Sequence, residues 1–226
     1  MRHDLDRAVW SALTSTHAGI AEGGERARRY PVGVVPFAAA RDDEPESLEA
    51  LGDLVGAEEV AVLLQPDPIR LPAGLETVFE GEGVQMVAAR PVEAVEDARI
   101  VPLGPADAVD MAALAELTKP GPFTLRALEI GRFWGVREEG QLVAMAGERL
   151  ALRGYVEVSG VCSHPDHRGR GLARLLSAYV AGQIERRGDR PLLHAFAGNI
   201  AAIRLYESLG FELRTGVRMM AVRRRT

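Results

Sequence analysis

The clearest hydrophobic order along this chain lies in its second half. Leu172, Leu175, Leu176, Tyr179, Val180 and Ile184 fall on one helical stripe. Ala202, Leu205, Tyr206 and Leu209 repeat the spacing within "NIAAIRLYESL". Between these stripes the apolar positions alternate or run together, as strands require. "RFWGVREEGQLVAMAGERLAL" predicts a hairpin turning around Glu138 to Gly140. "YVEVSGVCS" (Tyr155 to Ser163) predicts a strand, "PLLHAFA" another, and Phe211 to about Val222 a last one. Pro105 opens a helix over Gly104 to Thr118, and Gly210 stops the Asn199 helix as a C′ residue would. The order helix, three strands, helix, strand, helix, strand predicts an α/β (α+β) fold with a mixed sheet.

The first half is less regular. A short helix is expected over Leu5 to Leu13, and an edge strand over "YPVGVVPF" (Tyr30 to Phe37), where Pro31 and Pro36 remove donors. Pro45 starts a helix with Leu48, Leu51, Leu54 and Val55 on one face. Glu59 to Gln65 and Val84 to Arg90 read as strands, with the loop "PDPIRLPAG" between them. The weakly hydrophobic segment Pro91 to Ile100 precedes a change of pattern. It suggests an N-terminal α/β subdomain over 1–96 and a second domain over 97–226.

Composition narrows the partners. A formal net charge of -5 over 226 residues gives no general attraction to nucleic acid, and "VRRRT" at the end reads as a solvated tail. No apolar run approaches the roughly 20 residues of a membrane helix. Asp4 and Asp6 spoil any signal-peptide pattern, and the single cysteine, Cys162, cannot form an internal disulfide. A cytoplasmic setting is the expectation.

The candidate chemistry centres on "DHRGRGLARLL" (Asp166 to Leu176). A strand ends at Ser163 and a helix starts near Gly171, so free N–H groups and a positive dipole end are available to an anion. Gly169 and Gly171 allow close backbone approach, and Arg168 and Arg170 add forked donors. A plain loop with solvated arginines is the competing reading. A P-loop needs Lys-Ser or Lys-Thr after the glycines, where this chain has Leu172-Ala173. A dinucleotide fingerprint needs a third glycine, where it has Arg174. Neither motif fits.

"RGRGLA" (Arg168 to Ala173) resembles the Arg/Gln-x-x-Gly-x-Gly/Ala pyrophosphate loop of the GCN5-related N-acetyltransferases, the GNAT superfamily. "GVCSHPDHRGRG" is similar to that family's fourth strand and loop, and "NIAAIRLYESLGF" to its closing segment. The likeness covers about the last half of the chain, from Val101 on. Within the family, "SGVCSHPDHRGRG" resembles the FR47-like branch, related to glycine N-acyltransferases. The resemblance implies a mixed, mostly antiparallel central sheet flanked by helices, and acetyl-CoA as cosubstrate without a metal. Val161, Cys162 and Ser163 would offer backbone groups to the pantetheine arm. Arg168, Gly169, Arg170, Gly171, Leu172 and Ala173 would hold the pyrophosphate. Asn199 would hydrogen-bond the cofactor, and Tyr206 would protonate the departing thiolate. The implied acceptor is a small-molecule amine or amino-acid-like compound, and the chain a monomer or homodimer. The first part, possessing no second Arg-Gly-x-Gly loop, is expected to shape the acceptor side; a degenerate copy of the same fold is one form it could take.

Each residue has a blander alternative. Asn199 is also a good N-cap, Tyr206 sits where core tyrosines sit, and Gly160 could merely relieve crowding in its strand. Glu157, in an apolar strand, is the candidate general base for the amine, against a solvent-facing glutamate. Cys162 reads as a buried strand cysteine, His194 as structural, and His164 with His167 lack a third metal ligand. Two other functions remain open: a non-catalytic acyl-CoA sensor or interaction module, and a different nucleotide-binding α/β protein.

Overall fold

The computed structural model describes residues 3–93 and 95–225. An eight-stranded sheet forms its centre, in the order β4-β11-β5-β10-β9-β8-β7-β6. These strands are β4 (Val60–Gln65), β5 (Leu75–Ala88), β6 (Ile100–Leu103), β7 (Phe133–Glu138), β8 (Gln141–Leu152), β9 (Tyr155–Ser163), β10 (Arg190–Phe196) and β11 (Phe211–Arg224). All neighbours are antiparallel except β9 and β10. The mixed, mostly antiparallel sheet expected from the sequence is therefore present. A smaller sheet holds β1 (Glu22–Gly23), β2 (Ala27–Arg29) and β3 (Ala38–Ala40).

Helices cover both faces. On one, α4 (Leu172–Arg186) buries Leu172, Leu176, Val180 and Ile184 against Val136, Val143, Val156 and Val158, and Tyr206 of α5 (Ile200–Ser208) joins the same cluster. On the other, α1 (Ala8–Leu13) packs with Tyr30, Val34, Val35 and Phe37 over Leu150, Leu152, Leu192 and Val217. α2 (Pro45–Leu54) buries Leu51 beside Leu63 and Val222, and α3 (Ala108–Thr118) buries Met111 and Leu114 beside Phe133 and Met145.

Two expectations need correction. Tyr30 to Phe37 forms no strand: Val34 N–H closes a turn onto Pro31 O at 3.1 Å, and Gly33 has φ +83. Its apolar residues fill the core from a loop, with one parallel bridge from Phe37 to Val62. The strand expected over Val84 to Arg90 starts nine residues earlier, at Leu75. Its first half, "LETVFEGEG", carries charges because that stretch is largely exposed and is held by pairing with β11. β6 was not anticipated from "RIVPL". The sheet holds strands from both sides of residue 97, since β5 pairs with β10 and β11 and β4 with β11.

A buried polar chain runs sideways through the strands β8, β9, β10, β5 and β11. Arg149 Nε and Nη2 donate to Glu157 at 2.9 and 2.7 Å. His194 Nδ1 lies 2.8 Å from the same carboxylate, and its Nε2 lies 2.9 Å from Gln85 Nε2. Gln85 Nε2 also donates to Leu5 O at 3.0 Å, and Gln85 Oε1 accepts from Arg214 at 2.9 Å. Arg214 ends the chain on Asp6. The orientation of Gln85 fixes the imidazole: its Nε2 accepts, so its proton is on Nδ1 and points at Glu157.

The ion pair depends on a β-bulge. Between the pairs Glu148↔Val158 and Ala151↔Val156, β8 has one residue more than β9. The extra residue disturbs the ladder at Arg149 and Leu150. The Leu150 N–H instead donates to Glu157 Oε2 at 3.2 Å. Removing one member of a buried pair strands the other, at a cost of about 3–5 kcal/mol. Glu157→Gln is therefore expected to lose about that much in urea unfolding, and Arg149→Met/Glu157→Gln to lose less. Burial alone would raise the Glu157 pKa, but the charge and hydrogen bonds of Arg149 and the His194 hydrogen bond hold it well below the ordinary 4.5. A depressed folded pKa gives stability that is complete above the unfolded value and lost as pH falls through the folded one. Wild type should therefore lose its advantage over Glu157→Gln only below about pH 4.5.

Candidate active site

The site is created by strands that part. β9 and β10 pair only from Arg190↔Tyr155 to Leu192↔Glu157. Beyond that point β10 continues beside β5 as far as Phe196, so the edge of Val158 to Ser163 that faces β10 is left without a strand partner. The bridge from His194 to Glu157 sits where the separation begins. A second bulge follows on β9: Met145 pairs with Cys162 and Gly147 with Ser159, leaving one extra residue on β9. Gly160 stands there with φ +63, and a Cβ at this position would lie 2.9 Å from Cε1 of Phe133. The glycine thus satisfies both the bulge and the close approach of an aromatic ring.

A cleft of about 640 Å³ runs from this edge to the start of α4. Val161, Cys162, Ser163, Arg168, Gly169, Gly171, Leu172, Ala173, Asn199 and Tyr206, all expected at a binding site, line it together. Gly169 and Gly171 have φ +75 and +76, and a Cβ on either would meet no protein atom within 4 Å. Their role in the fold is the left-handed backbone, which turns the loop so that α4 begins facing the cleft. The first intrahelical bond of α4 is Leu175 N to Gly171 O at 2.9 Å, so the preceding N–H groups point out of the helix end.

The two arginines of the loop separate. Arg168 lines the cleft, and its side chain makes no hydrogen bond or ion pair among the described residues. Arg170 does not line it. Its guanidinium is held by Glu138 at the β7–β8 turn, at 2.8 and 2.7 Å, beside His167. The Arg170 side chain therefore fastens the loop to the hairpin. Arg174, passed over in the sequence because it replaces a glycine, lines the cleft one turn into α4.

Asn199 resolves its two roles by dividing them. Its Oδ1 accepts the Ala202 N–H at 3.2 Å as an N-cap, which leaves the amide nitrogen free to donate. Tyr206 is 9% exposed, and burial first, then the charge of Glu157, pushes its pKa up to about 12. It therefore keeps its proton at any ordinary pH. Cys162 is buried, and burial raises its thiol pKa to about 11, which suits a packing role over a nucleophilic one.

A second, smaller chamber of about 140 Å³ adjoins the cleft, and Tyr206, Asn199 and Val161 line both. Phe37 and Leu64 of the first half, together with Arg149, Ser159, Gly160 and His194, complete its wall. Glu157 does not line the chamber. Fully buried, it lies behind Arg149 and His194, and both of its oxygens are engaged. This environment speaks against the expectation that Glu157 is the general base: a carboxylate bound to a guanidinium, an imidazole and a backbone amide, with its pKa pushed down, is poorly suited to take a proton from an amine. Sequence reasoning missed Arg149. The signal was available in the opposite charges of "GERLAL" and "YVEV", set across one hairpin in otherwise apolar strands.

Comparison with known proteins is consistent with this geometry. The FR47-like protein family matches residues 133–219. A solved structure of a protein assigned to the GNAT acetyltransferase family, from Novosphingobium aromaticivorans DSM 12444, superposes with a TM-score of 0.93 at 39% identity, over 100% of both chains. The ribosomal protein bS18-alanine N-acetyltransferase of Escherichia coli K12 is 36% identical over 75 residues, which are 33% of this chain and 50% of that enzyme. The chain thus spans about half the length of that relative. The mycothiol acetyltransferase of Thermobispora bispora is 46% identical over 59 residues, 26% of this chain and 19% of that one.

The division between the two arginines is testable by titrating the protein with coenzyme A in a calorimeter. Arg168→Ala should weaken binding about tenfold or more, the worth of a charge-assisted hydrogen bond to phosphate. Arg170→Ala should change it by no more than about twofold, since an exposed ion pair contributes little.

Proposed function

The chain belongs to the GNAT acetyltransferase family, with an FR47-like segment over 133–219, and from that premise we propose that it moves an acetyl group from acetyl-CoA to a primary amine by direct attack. The observation that carries this reading is the meeting of the cleft and the chamber at Tyr206. One space suits a long cosubstrate that ends in phosphates, and the other suits a small nucleophile.

The pyrophosphate takes the N-terminal N–H groups of α4 and the Arg168 guanidinium. The pantetheine arm lies along the free edge of β9, with backbone groups of Val161, Cys162 and Ser163 in the part a neighbouring strand would play. The Asn199 amide nitrogen donates to the same ligand. Backbone N–H groups near Val161 and Cys162 polarise the thioester carbonyl as charge develops on its oxygen. The amine nitrogen bonds to the carbonyl carbon while the carbon–sulfur bond breaks, Tyr206 gives its proton to the departing sulfur, and the proton that the nitrogen sheds on becoming an amide returns to the tyrosinate through water. The Tyr206 pKa, raised to about 12, keeps the donor proton in place until negative charge develops on the sulfur.

Among the described residues lining the chamber there is no carboxylate. Both nitrogens of His194 are engaged, by Glu157 and Gln85. The amine therefore enters already deprotonated, its proton having gone to water. Small acceptors, amines or amino-acid-like compounds, fit a chamber of about 140 Å³.

Release of the coenzyme A thiol in the presence of acetyl-CoA and an amine tests the reading. Tyr206→Phe should lower kcat by about 10²-fold, with the KM for acetyl-CoA little changed. In wild type, kcat/KM should rise with pH toward the free amine's own pKa, so that acceptors of different basicity give displaced profiles. A plateau at one pH common to all acceptors would mean that an enzyme group takes the proton.

A further inference from the structure

We infer that Arg149 is a specificity-determining residue that reads a carboxylate on the acceptor, so that the acceptor is a free α-amino acid with an apolar side chain. The inference rests on the acetyl-transfer reading above and names the substrate class of that same site.

A guanidinium carries five N–H groups. Arg149 spends its Nε–H and one N–H of Nη2 on Glu157. Its Nη1 makes no hydrogen bond among the described residues, although the side chain is only 13% exposed. It is directed at the segment after α3: a Cβ at Gly121 would lie 3.9 Å from Nη1. Arg149 and Gly121 both line the chamber. The guanidinium is also held from its face, with its carbon 4.8 Å from the centre of the Phe37 ring. The bulge, Glu157 and Phe37 together fix one edge and one face and leave the remaining end free in a confined space. That free end is the part of an arginine that takes a carboxylate through two parallel hydrogen bonds. Among the described residues no carboxylate lines the chamber to fill this role.

The chamber is too small for a long side chain, but it opens into a groove of about 630 Å³ that shares Lys119, Gly121, Phe196 and Met219 with it. The groove is lined by Val62, Phe79, Phe123 and Leu125 as well, and Phe79, Phe196 and Leu125 are 48%, 41% and 59% exposed. A molecule with its carboxylate on Arg149 and its amine toward Tyr206 has this groove as its exit for an apolar side chain. A peptide N-terminus lacks that carboxylate, as does a simple alkylamine.

The test compares matched acceptors on the full-length wild-type protein: phenylalanine, phenylalaninamide, phenethylamine and an alanine-led peptide, by thiol release. The expected kcat/KM for phenylalanine is at least about tenfold above each of the others, one charge-assisted hydrogen bond or more. The carboxamide's amine is the more easily deprotonated, so this preference runs against intrinsic reactivity. Arg149→Lys keeps the charge but loses the fork, and should lower the phenylalanine-to-phenylalaninamide ratio several-fold while coenzyme A binding persists. Should that variant fail to fold, competition in wild type replaces it: 3-phenylpropanoate should inhibit at least about tenfold better than 3-phenylpropanamide. Equal use of the amide, faster use of the peptide, an unchanged ratio in Arg149→Lys, or equal inhibition would each overturn the assignment and leave acetyl transfer standing. Absence of thiol release with every amine would overturn both.

Discussion

The ion pair of Arg149 with Glu157 is the interaction on which the rest of this structure depends. Two charges inside a sheet are costly to desolvate, and they persist only where geometry and further hydrogen bonds compensate. Here compensation comes from both sides. The bulge in β8 supplies the Leu150 amide, and β10 supplies His194 at the point where it leaves β9. The pair thus anchors the last residues before the strands separate. The separation in turn creates the edge that a long ligand can use, so a structural device and a binding surface share the same residues.

The same polar chain explains how the first half of the protein takes part. Gln85 on β5 joins His194 to the Leu5 carbonyl, and Arg214 on β11 joins Gln85 to Asp6. The N-terminal turn and α1 are therefore tied to the sheet through polar contacts as well as through the packing of Leu5, Val9 and Leu13. Phe37 and Leu64 reach the chamber wall from this region, and Val62 and Phe79 reach the groove. The second half lines the cleft, and the first half contributes to the walls of the chamber and groove that we propose take the acceptor.

Legibility in the sequence followed how local the determinant was. The strand Tyr155–Ser163 and the helices after Gly171 and Asn199 were readable because alternation, stripe and cap lie within a few residues of one another. The loop glycines were noticeable for the same reason, while their left-handed backbones emerged only from the structure. Tyr30 to Phe37 misled because an apolar run can fill a core without joining a ladder, and Gly33 with two prolines favours turns. The first half of β5 was hidden because its partner, β11, lies far along the chain and its own residues face solvent. Glu157 was noticed for the right reason, a charge in an apolar strand, but its purpose depended on Arg149 across a bulge that no periodicity reveals. The division between Arg168 and Arg170 depended equally on Glu138, which only the folded hairpin brings near.

The central claim is that one ligand spans from the α4 end to Tyr206, with its reactive carbonyl between the edge of β9 and the chamber. A crystal structure of the acetyl-CoA complex tests it most directly. The account places the pyrophosphate against Gly169 to Leu172 and Arg168. It places the thioester oxygen about 3 Å from a backbone N–H near Val161 or Cys162, and the sulfur beside the Tyr206 hydroxyl. A pyrophosphate bound elsewhere, or a thioester that lies away from Tyr206 with the acetyl group turned out of the chamber, would contradict it.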